Sequence, residues 1–418
     1  MRSAVDQILA YNHSLDRASL ARKLARMSES AFAFFRGTFH VFAFDILEGP
    51  FHEWPATVAH GAIVGDLHTE NFGTFRAVSG DIVYDINDFD ETTRSLYDYD
   101  LRRLTTSIAL AAFDNGQALM QVTAAVERCA RGYLDTLVQL APVKTRADFE
   151  KLKEAKEVHA VLSDAKEQSR SDMMRKLAVQ GVDGHFAFKA ADSFTPVSAE
   201  VRGDVVKALP QFLKSLAPRQ NAAKYTFQDV VFRFAGCGSL GRQRYALLLG
   251  KGETEKETYD SLRLIEWKDS LDSGLCAKAP HASPGRAKQV IDNTVGFQIN
   301  PRRYLGYVTI EGRPMQSREI GANDTRFSHK LFRDPDKFAH AAQIFGEITA
   351  RAHLVSSLGS DGPRALAHEI NTLQDRWVNR MAAFALAYAH QAKDDYDEFI
   401  ARKAEVAKAW GVKSLTAG

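Results

Sequence analysis

The spacing of apolar residues predicts helices near both ends of the chain. Leu20, Leu24 and Met27 are spaced for one face of a helix. Residues 31–44 are rich in phenylalanine and predict a buried core helix, interrupted at Arg36 and Gly37. Further helices are predicted over 97–113, 117–140, 336–353 and 364–410, and the charged pattern of 146–180 is typical of an exposed helical hairpin or a mobile insertion.

Short apolar runs and alternating segments predict strands in two regions. Residues 58–65 predict a strand, and a hairpin around Ser79-Gly80-Asp81 leads to a returning strand over 81–85. A second β-rich region begins after residue 220. Its predicted strands are 225–233, 243–249, 261–267, 304–310 and 314–320. The spacing of these segments predicts a small antiparallel sheet.

Composition and charge exclude several classes of protein. The chain has 418 residues, 45% hydrophobic and 25% charged, and is long enough for two lobes with cores. A net charge of +2 does not favour a nucleic-acid partner. Cys129, Cys237 and Cys276 are too far apart to indicate a disulfide framework or a zinc site. The sequence shows no signal-peptide pattern and no apolar run near the ~18 residues of a membrane span, so we expect a cytoplasmic protein without a membrane segment.

The densest candidate chemistry lies between residues 64 and 91. Asp66, His68 and Asn71 follow the first predicted strand, and Asp88 and Asp90 follow the returning one, in the string D-I-N-D-F-D-E. A polar turn would explain one such residue but not the whole set, because clustered carboxylates repel one another unless a cation lies among them. Carboxylate and amide oxygens suit Mg²⁺ rather than zinc. The segment therefore predicts a metal-assisted phosphoryl-transfer site.

A glycine-rich turn in the β-rich region predicts a phosphate-binding loop. Gly236, Gly238 and Gly241 fit G-x-G-x-x-G, with Ser239 inside the turn. The turn is followed by a strand-like run rather than the helix of a dinucleotide-binding fold, which favours a loop that covers phosphates with backbone N–H groups. Lys268, at the end of the strand predicted over 261–267, is placed to contact the α- and β-phosphates of a nucleotide. The alternative is an exposed strand lysine.

These strings resemble those of known phosphotransferases. G-D-L-H-T-E-N is similar to the catalytic loop of aminoglycoside phosphotransferases and choline-kinase-like enzymes, and N-D-F-D-E resembles their metal-binding segment. Tyr99-Asp100-Leu101 resembles the start of their next helix, whereas Val64 stands where they have histidine. Together with F-x-F-F-R-G, I-E-W-K-D and A-R-A-H, the pattern resembles the bacterial kinase-like family called domain of unknown function 2252.

The order of the segments differs from that of ordinary kinase-like enzymes. The glycine turn comes about 170 residues after Asp66 instead of before it, and F-G-E-I-T-A-R-A-H, similar to a helix that normally precedes the catalytic loop, lies near the C-terminus. A circular permutation explains both displacements. The resemblance therefore implies an α+β, two-lobed, protein-kinase-like fold that is circularly permuted.

The resemblance also implies roles and partners. Asp66 would be the base that orients the acceptor hydroxyl, and His68 would brace the loop. Asn71 and Asp88 would bind Mg²⁺, and Asp90 would either support these ligands from behind or bind a second metal ion. Lys268 would hold the phosphates of ATP beneath the glycine turn. A kinase lysine normally pairs with a helix glutamate, and the candidates for that partner remain open: Asp292, Glu266 and Glu319.

The predicted organisation has four parts. Residues 1–145 would form the catalytic part of the large lobe, 146–220 a helical insertion or linker, 221–325 the small nucleotide-binding lobe, and 326–418 the helical completion of the large lobe. The predicted function is ATP- and Mg²⁺-dependent phosphoryl transfer to an unknown hydroxyl-bearing small molecule or protein. The alternatives are a nucleotide-binding pseudokinase or scaffold and, less favoured, a metallophosphoesterase, whose later G-D-x-x-D and G-N-H strings do not occur.

Overall fold

The chain folds into a mixed α+β structure, as the sequence predicted. The computed structural model describes residues 3–13, 15–150, 158–216, 225–234, 242–250 and 258–412. One part of the described chain is mainly helical, and the other is built on a six-stranded sheet.

The helices account for most of the described residues, and their bounds follow in chain order. They are α1 (Ala4–Asn12), α2 (Arg17–Met27), α3 (Ala31–Gly37), α4 (Phe39–Leu47), α5 (Asp98–Asp114), α6 (Leu119–Leu140), α7 (Arg146–Glu150), α8 (Val158–Lys166), α9 (Arg170–Leu177), α10 (Ala199–Ser215), α11 (Arg286–Phe297), α12 (Pro335–Ser356), α13 (Gly362–Leu373), α14 (Asp375–Ala401) and α15 (Lys403–Ala409).

The helical predictions near both ends are confirmed, with two corrections. The phenylalanine-rich segment forms two helices, α3 and α4, that meet at Thr38 rather than one interrupted at Arg36 and Gly37. The Thr38 hydroxyl donates to the Phe34 carbonyl at 2.8 Å, which closes the first helix. The predicted helix over 364–410 is divided into α13, α14 and α15, and the first break lies at Gln374, whose φ is +47°. Helix α11 was not predicted, and α10 lies within the interval 146–220, which was predicted only as a helical insertion or linker.

The strands fall into one large sheet and three two-stranded pairs. They are β1 (His60–Ile63), β2 (Phe72–Arg76), β3 (Ile82–Ile86), β4 (Thr93–Leu96), β5 (Ala178–Gln180), β6 (Phe186–Phe188), β7 (Phe194–Pro196), β8 (Thr226–Arg233), β9 (Arg244–Gly250), β10 (Arg263–Asp269), β11 (Gly306–Ile310) and β12 (Arg313–Glu319). The pairs are β1–β4, β2–β3 and β5–β6.

The large sheet is antiparallel, with the order β11-β12-β10-β9-β8-β7. Apolar clusters cover both of its faces. Helix α10 packs on one face through Phe212 against Trp267, while Met174 of α9 and Phe186 of β6 lie with Leu248 on the other. Burial on both sides explains why the central strand β9 is almost continuously apolar. At least four elements of the interval 146–220 thus pack with this sheet: α9, β6, β7 and α10.

The helical part is centred on the packing of α12 against α6. Gly346 makes their close approach possible, because a Cβ at this position would lie 2.1 Å from the Cys129 carbonyl oxygen of α6. Phe345, beside it, stacks on Phe72 at the start of β2, with ring centroids 4.3 Å apart. The segment F-G-E-I-T-A-R-A-H therefore packs against the start of β2, directly after Asn71.

The sheet contacts the helical part through α11 and the chain that follows it. Arg286, at the start of α11, donates to the carbonyl oxygens of Thr92 at 2.8 Å and Asp90 at 3.0 Å. Gln298, just after α11, donates to the Ile86 carbonyl at 2.8 Å. These bonds fix the acidic segment 86–92 against α11 and the residue that follows it.

Candidate functional site

The first site loop follows β1 and is held by a carboxylate of α5. Asp100 accepts the backbone N–H groups of Val64 and Gly65, each at 2.7 Å, and its side chain is fully buried. His353 of α12 lies 3.0 Å from the same carboxylate, and its other ring nitrogen lies 2.8 Å from the Tyr133 hydroxyl. Asp100, in the Y-D-L string, thus fixes the turn that precedes Asp66.

Gly65 is required by this turn. Its φ is +92°, and a Cβ there would lie 2.4 Å from the Glu91 carbonyl oxygen. The close approach brings the loop after β1 against the second acidic segment.

Asp66 pairs with a buried arginine. The Arg103 Nε donates to its carboxylate at 2.8 Å, and the Arg103 guanidinium lies 3.5 Å from the centre of the Phe35 ring. Burial raises the pKa of Asp66 to about 6, against the opposing effect of Arg103. The carboxyl group therefore changes its protonation state close to neutral pH, which is the range suited to a general base.

His68 and Asn71 stabilise the loop from within. The Asn71 side-chain oxygen accepts the His68 backbone N–H at 2.6 Å. The Arg36 Nε lies 3.4 Å from His68 Nε2, and its guanidinium pairs with Glu70 at 2.7 Å. Burial, together with Arg36 and Arg103, holds the pKa of His68 well below its ordinary value, so its ring is neutral.

Asp88 carries a carboxylate that no described side chain or backbone group hydrogen-bonds. Burial by itself would raise its pKa, but Lys268, Arg318, Arg326 and Arg244 outweigh burial and lower the pKa below the ordinary range. The group is therefore an anion with all its lone pairs available, placed among cations.

Lys268 pairs with Asp90. The Asp90 carboxylate also accepts from Gln316 and lies 3.4 Å from Arg242. Burial lowers the pKa of Lys268 to about 8, although the charge of Asp88 opposes this shift. Asp90 is thus surrounded by donors, unlike Asp88.

The three candidate partners of Lys268 have other contacts. Asp292 of α11 pairs with Lys288 on the surface, and Glu319 lies 3.9 Å from Arg263. Glu266 pairs with three arginines, Arg244 and Arg318 at 3.0 Å each, and Arg233. The acidic residue that contacts Lys268 among the described residues is therefore one that the sequence suggested as a metal ligand.

One cavity of about 360 Å³ brings these segments together. Asp66, His68, Asn71, Asp88 and Asp90 line it. A smaller cavity of about 30 Å³ shares Asp88 and Asp90 with it and is lined by Lys268 and Glu266. Gly236, Gly238, Ser239 and Gly241 lie outside the described residues, although the strands before and after them, β8 and β9, are adjacent in the sheet.

Arginines are the residues of this cavity that sequence reasoning missed. Five of the described cavity-lining residues come from the sheet, from the residues just before β9 and from the segment after β12: Arg242, Arg244, Arg313, Arg318 and Arg326. Arg244 belongs to the G-x-x-R-Y string and could have been noticed there. The others carry no local pattern, because a lone arginine in a strand or loop is most often a surface residue.

One protein-family description matches nearly the whole chain. The model described as "uncharacterized protein conserved in bacteria" (DUF2252) matches residues 15–402. The chain belongs to this family. The match includes every candidate-site residue named above, and the DUF2252 description names no activity. Neither the curated proteins nor the solved structures gave a significant match. Among the described residues, no helix combines the length and the apolar character that crossing a bilayer requires.

Proposed function

We propose that this DUF2252 chain is a phosphotransferase of permuted kinase-like type, which transfers the terminal phosphoryl group of ATP to a hydroxyl-bearing acceptor. The observation that supports it most is the shared cavity. A carboxyl group with a pKa of about 6, Asp66, faces the same space as an unbonded carboxylate, Asp88. Lys268 adjoins that space on the strand that follows the glycine-turn hairpin, the position of the phosphate-binding lysine in kinases.

The arrangement of the sheet agrees with this proposal. Lys268 lies in β10, helix α11 follows, and the hairpin β11–β12 returns so that Gln316 of β12 is paired with Lys268. A lysine strand followed by a helix, next to a glycine-containing hairpin, is the arrangement that positions phosphates in kinase small lobes.

The oxygen atoms of Asp88 and Asn71 are the donors that this chain offers to Mg²⁺. The described residues contain no group of three or more His, Cys, Asp or Glu side chains placed to hold a metal ion. Asp88 offers an unbonded carboxylate and Asn71 an amide oxygen, whereas Asp90 is engaged by Lys268. One carboxylate and one amide fit Mg²⁺, which is commonly bound by one or two protein ligands, substrate phosphates and water. Bound there, Mg²⁺ would neutralise charge on the phosphate oxygens.

The chain's own groups would act as follows. The ionised Asp66 accepts the proton of the acceptor hydroxyl, and Arg103 holds its carboxylate in place. The hydroxyl oxygen forms the new bond to phosphorus while the bond from phosphorus to the ADP oxygen breaks, and ADP leaves with that electron pair. Lys268 contributes positive charge to the phosphates.

The proposal is tested with the full chain, ATP, Mg²⁺ and a pool of small metabolites. Phosphorylated products are compared for wild type, Asp66→Asn and Asp88→Asn, with Asp192→Asn, an exposed turn residue, as the matched control. We expect Asp66→Asn to lower turnover ~10²–10⁴-fold and Asp88→Asn ~10²–10³-fold, with Asp192→Asn unchanged. Wild-type turnover by Asp88→Asn would overturn the metal assignment.

A second candidate is a nucleotide-binding protein without turnover. Asp292, the only acidic residue of α11, is on the surface, and Lys268 instead contacts Asp90. A chain of this kind would bind ATP in a Lys268-dependent manner and form no product. Calorimetric titration of ATP with and without Mg²⁺, run beside the product assay, separates the two candidates. No observation on the described residues favours the metallophosphoesterase.

A further inference from the structure

The segment Asn323–Phe327 lies alongside β2. The Phe327 N–H donates to the Phe72 carbonyl at 2.8 Å, and the Thr325 N–H donates to the Thr74 carbonyl at 3.3 Å. The Thr74 hydroxyl donates to the Asn323 carbonyl at 2.6 Å. Phe72 directly follows Asn71, so this segment is fixed next to the proposed metal-binding residues.

The side chain of Arg326 faces the cavity because of this pairing. Successive residues of an extended segment point to opposite sides. Phe327 is buried in the helical core, whereas Arg326 is exposed and lines the large cavity. The fit is close at Gly73, where a Cβ would lie 2.0 Å from the Thr325 carbonyl oxygen. The position of Arg326 is therefore set by β2 and not by a flexible loop.

Positive charge exceeds negative charge around Asp88. Glu266 is shared by three arginines, and Asp88, Asp90 and Glu91 are the other carboxylates of this group. Six cations lie among these four carboxylates within the described part of the chain, an excess of two positive charges: Arg233, Arg242, Arg244, Lys268, Arg318 and Arg326.

Arg326 differs from its neighbours in having no hydrogen bond or ion pair to any described residue. Arg318 donates to Glu266 and to the Asn87 carbonyl, and Arg36 pairs with Glu70. Like charges placed together at a cavity wall are unfavourable unless an anion joins them.

We propose that Arg326, together with Arg318 and Arg36, forms an anion site that binds the terminal phosphate of a nucleoside triphosphate. This deepens and rests on the proposed function. A guanidinium offers paired donors that match phosphate oxygens, and an arginine at the transferred group stabilises the charge that develops during phosphoryl transfer. Arg326 lies opposite Gly73, two residues after Asn71, and lines the same cavity as Asn71 and Asp66. The terminal phosphate would therefore lie between the rest of the nucleotide and the acceptor.

The test uses inorganic tripolyphosphate as the probe, because its binding requires no acceptor and no turnover. Its dissociation constant is measured by calorimetry on the full chain, without metal and with Mg²⁺. The variants are Arg326→Gln and Arg326→Lys. The matched control is Arg333→Gln, an exposed arginine seven residues further on with no ion pair to a described residue. Thermal unfolding of each ligand-free variant is recorded in parallel.

We expect Arg326→Gln to weaken tripolyphosphate binding by roughly 10- to 100-fold, the effect of losing charge-assisted hydrogen bonds. Arg326→Lys should fall between Arg326→Gln and wild type, because it keeps the charge but not the paired donors. Arg333→Gln should bind as wild type does. The ligand-free unfolding temperature of Arg326→Gln should be equal or higher, since a repelling charge is removed.

Tripolyphosphate binding by Arg326→Gln that equals wild type, or an equal loss in Arg333→Gln, overturns the inference. If Arg326→Gln does not fold, wild-type affinity in Arg326→Lys overturns the role of the paired donors. Affinities for ATP and AMP show which phosphate Arg326 contacts. Arg326→Gln should weaken the binding of ATP and leave the binding of AMP unchanged, because AMP has no terminal phosphate at that position. Arg326-dependent tripolyphosphate binding without product formation supports the anion site while the proposed transferase activity fails. Product formation together with tripolyphosphate binding that does not depend on Arg326 supports the transferase activity and overturns the anion site.

Discussion

The exchange of Asp100 for asparagine should both destabilise the fold and displace Asp66. One oxygen of the carboxylate accepts from Val64 N–H and His353, and the other accepts from Gly65 N–H. An asparagine would keep its oxygen where two donors meet and place its NH₂ group against Gly65 N–H. Two donors would then face each other in a fully buried site, next to Asp66.

The magnitude follows from these contacts. A hydrogen bond to a charged acceptor contributes about 1.5–3 kcal/mol, and a buried donor left without an acceptor costs about 1–3 kcal/mol. We therefore expect a loss of about 3–5 kcal/mol, a large part of a typical folding free energy of about 5–15 kcal/mol.

Asp98, two residues earlier in the same helix, provides a matched control. Its carboxylate accepts from the Thr57 backbone N–H at 2.9 Å and from the Thr57 hydroxyl at 2.8 Å. A hydroxyl can accept as well as donate, so Asp98→Asn can keep both Thr57 contacts. It also removes the charge that lies 3.9 Å from Arg102, whose guanidinium keeps its bonds to the Trp54 and Pro55 carbonyls, and should cost about 1–2 kcal/mol. Its partner, Thr57, also lies away from the turn at Gly65.

Urea unfolding followed by circular dichroism measures both variants. The midpoint for Asp100→Asn should fall well below that for Asp98→Asn, with similar slopes. Product formation, where it is observed in the wild type, should fall more in Asp100→Asn than in Asp98→Asn. Equal midpoints for the two variants would refute the reasoning, because burial alone would then explain the loss.

Three further predictions concern pH, packing and thiol reactivity. Turnover should rise with pH through about 6 as Asp66 loses its proton, and a pH–rate profile that is flat from about pH 5 to 8 would argue against this base. Because the pKa of Asp66 is raised on folding, its contribution favours the folded state below about pH 4, the ordinary value, and is lost as the pH rises through 6. Gly346→Ala should lower the free energy of urea unfolding by about 1–3 kcal/mol, since a Cβ would meet the Cys129 carbonyl. Gly203→Ala in α10, where a Cβ would have nothing within 4 Å, should raise it by up to about 1 kcal/mol. Equal effects of the two changes would contradict the close approach of α12 and α6. In a Cys237→Ser background, a thiol reagent should label exposed Cys276 promptly and Cys129 only on unfolding, because Cys129 is buried and burial raises its pKa. Peptide mapping that finds early label on Cys129 would contradict this packing.

Much of the secondary structure could be predicted because its signals are local. The stripe of α5 and the alternation of β8 arise from side chains a few positions apart, so periodicity is sufficient to locate them. The prediction failed where a contact from elsewhere decides the element. The sheet and its neighbours bury one face of α10, and Thr38 ends α3 inside a segment whose phenylalanines alone indicate one helix.

The candidate site could be predicted as a set of acidic and amide side chains, but not as a network of charges. Asp66, Asn71 and Asp88 are recognisable because they occur in short strings. The partner of Lys268 is not, since Asp90 lies 178 positions away in the chain. Arg326 belongs to no recognisable string, and its place opposite Gly73 depends on backbone pairing with β2.

The sequence by itself determined the family, the class of fold and many of the helices and strands, since each of these is encoded in neighbouring residues. Only the tertiary structure decided which cation faces which carboxylate, which carboxylate stays without a hydrogen bond, and which arginine is left without a counter-charge. Electrostatic interaction depends on distance in space and on burial, and neither quantity is contained in the spacing of residues along the chain.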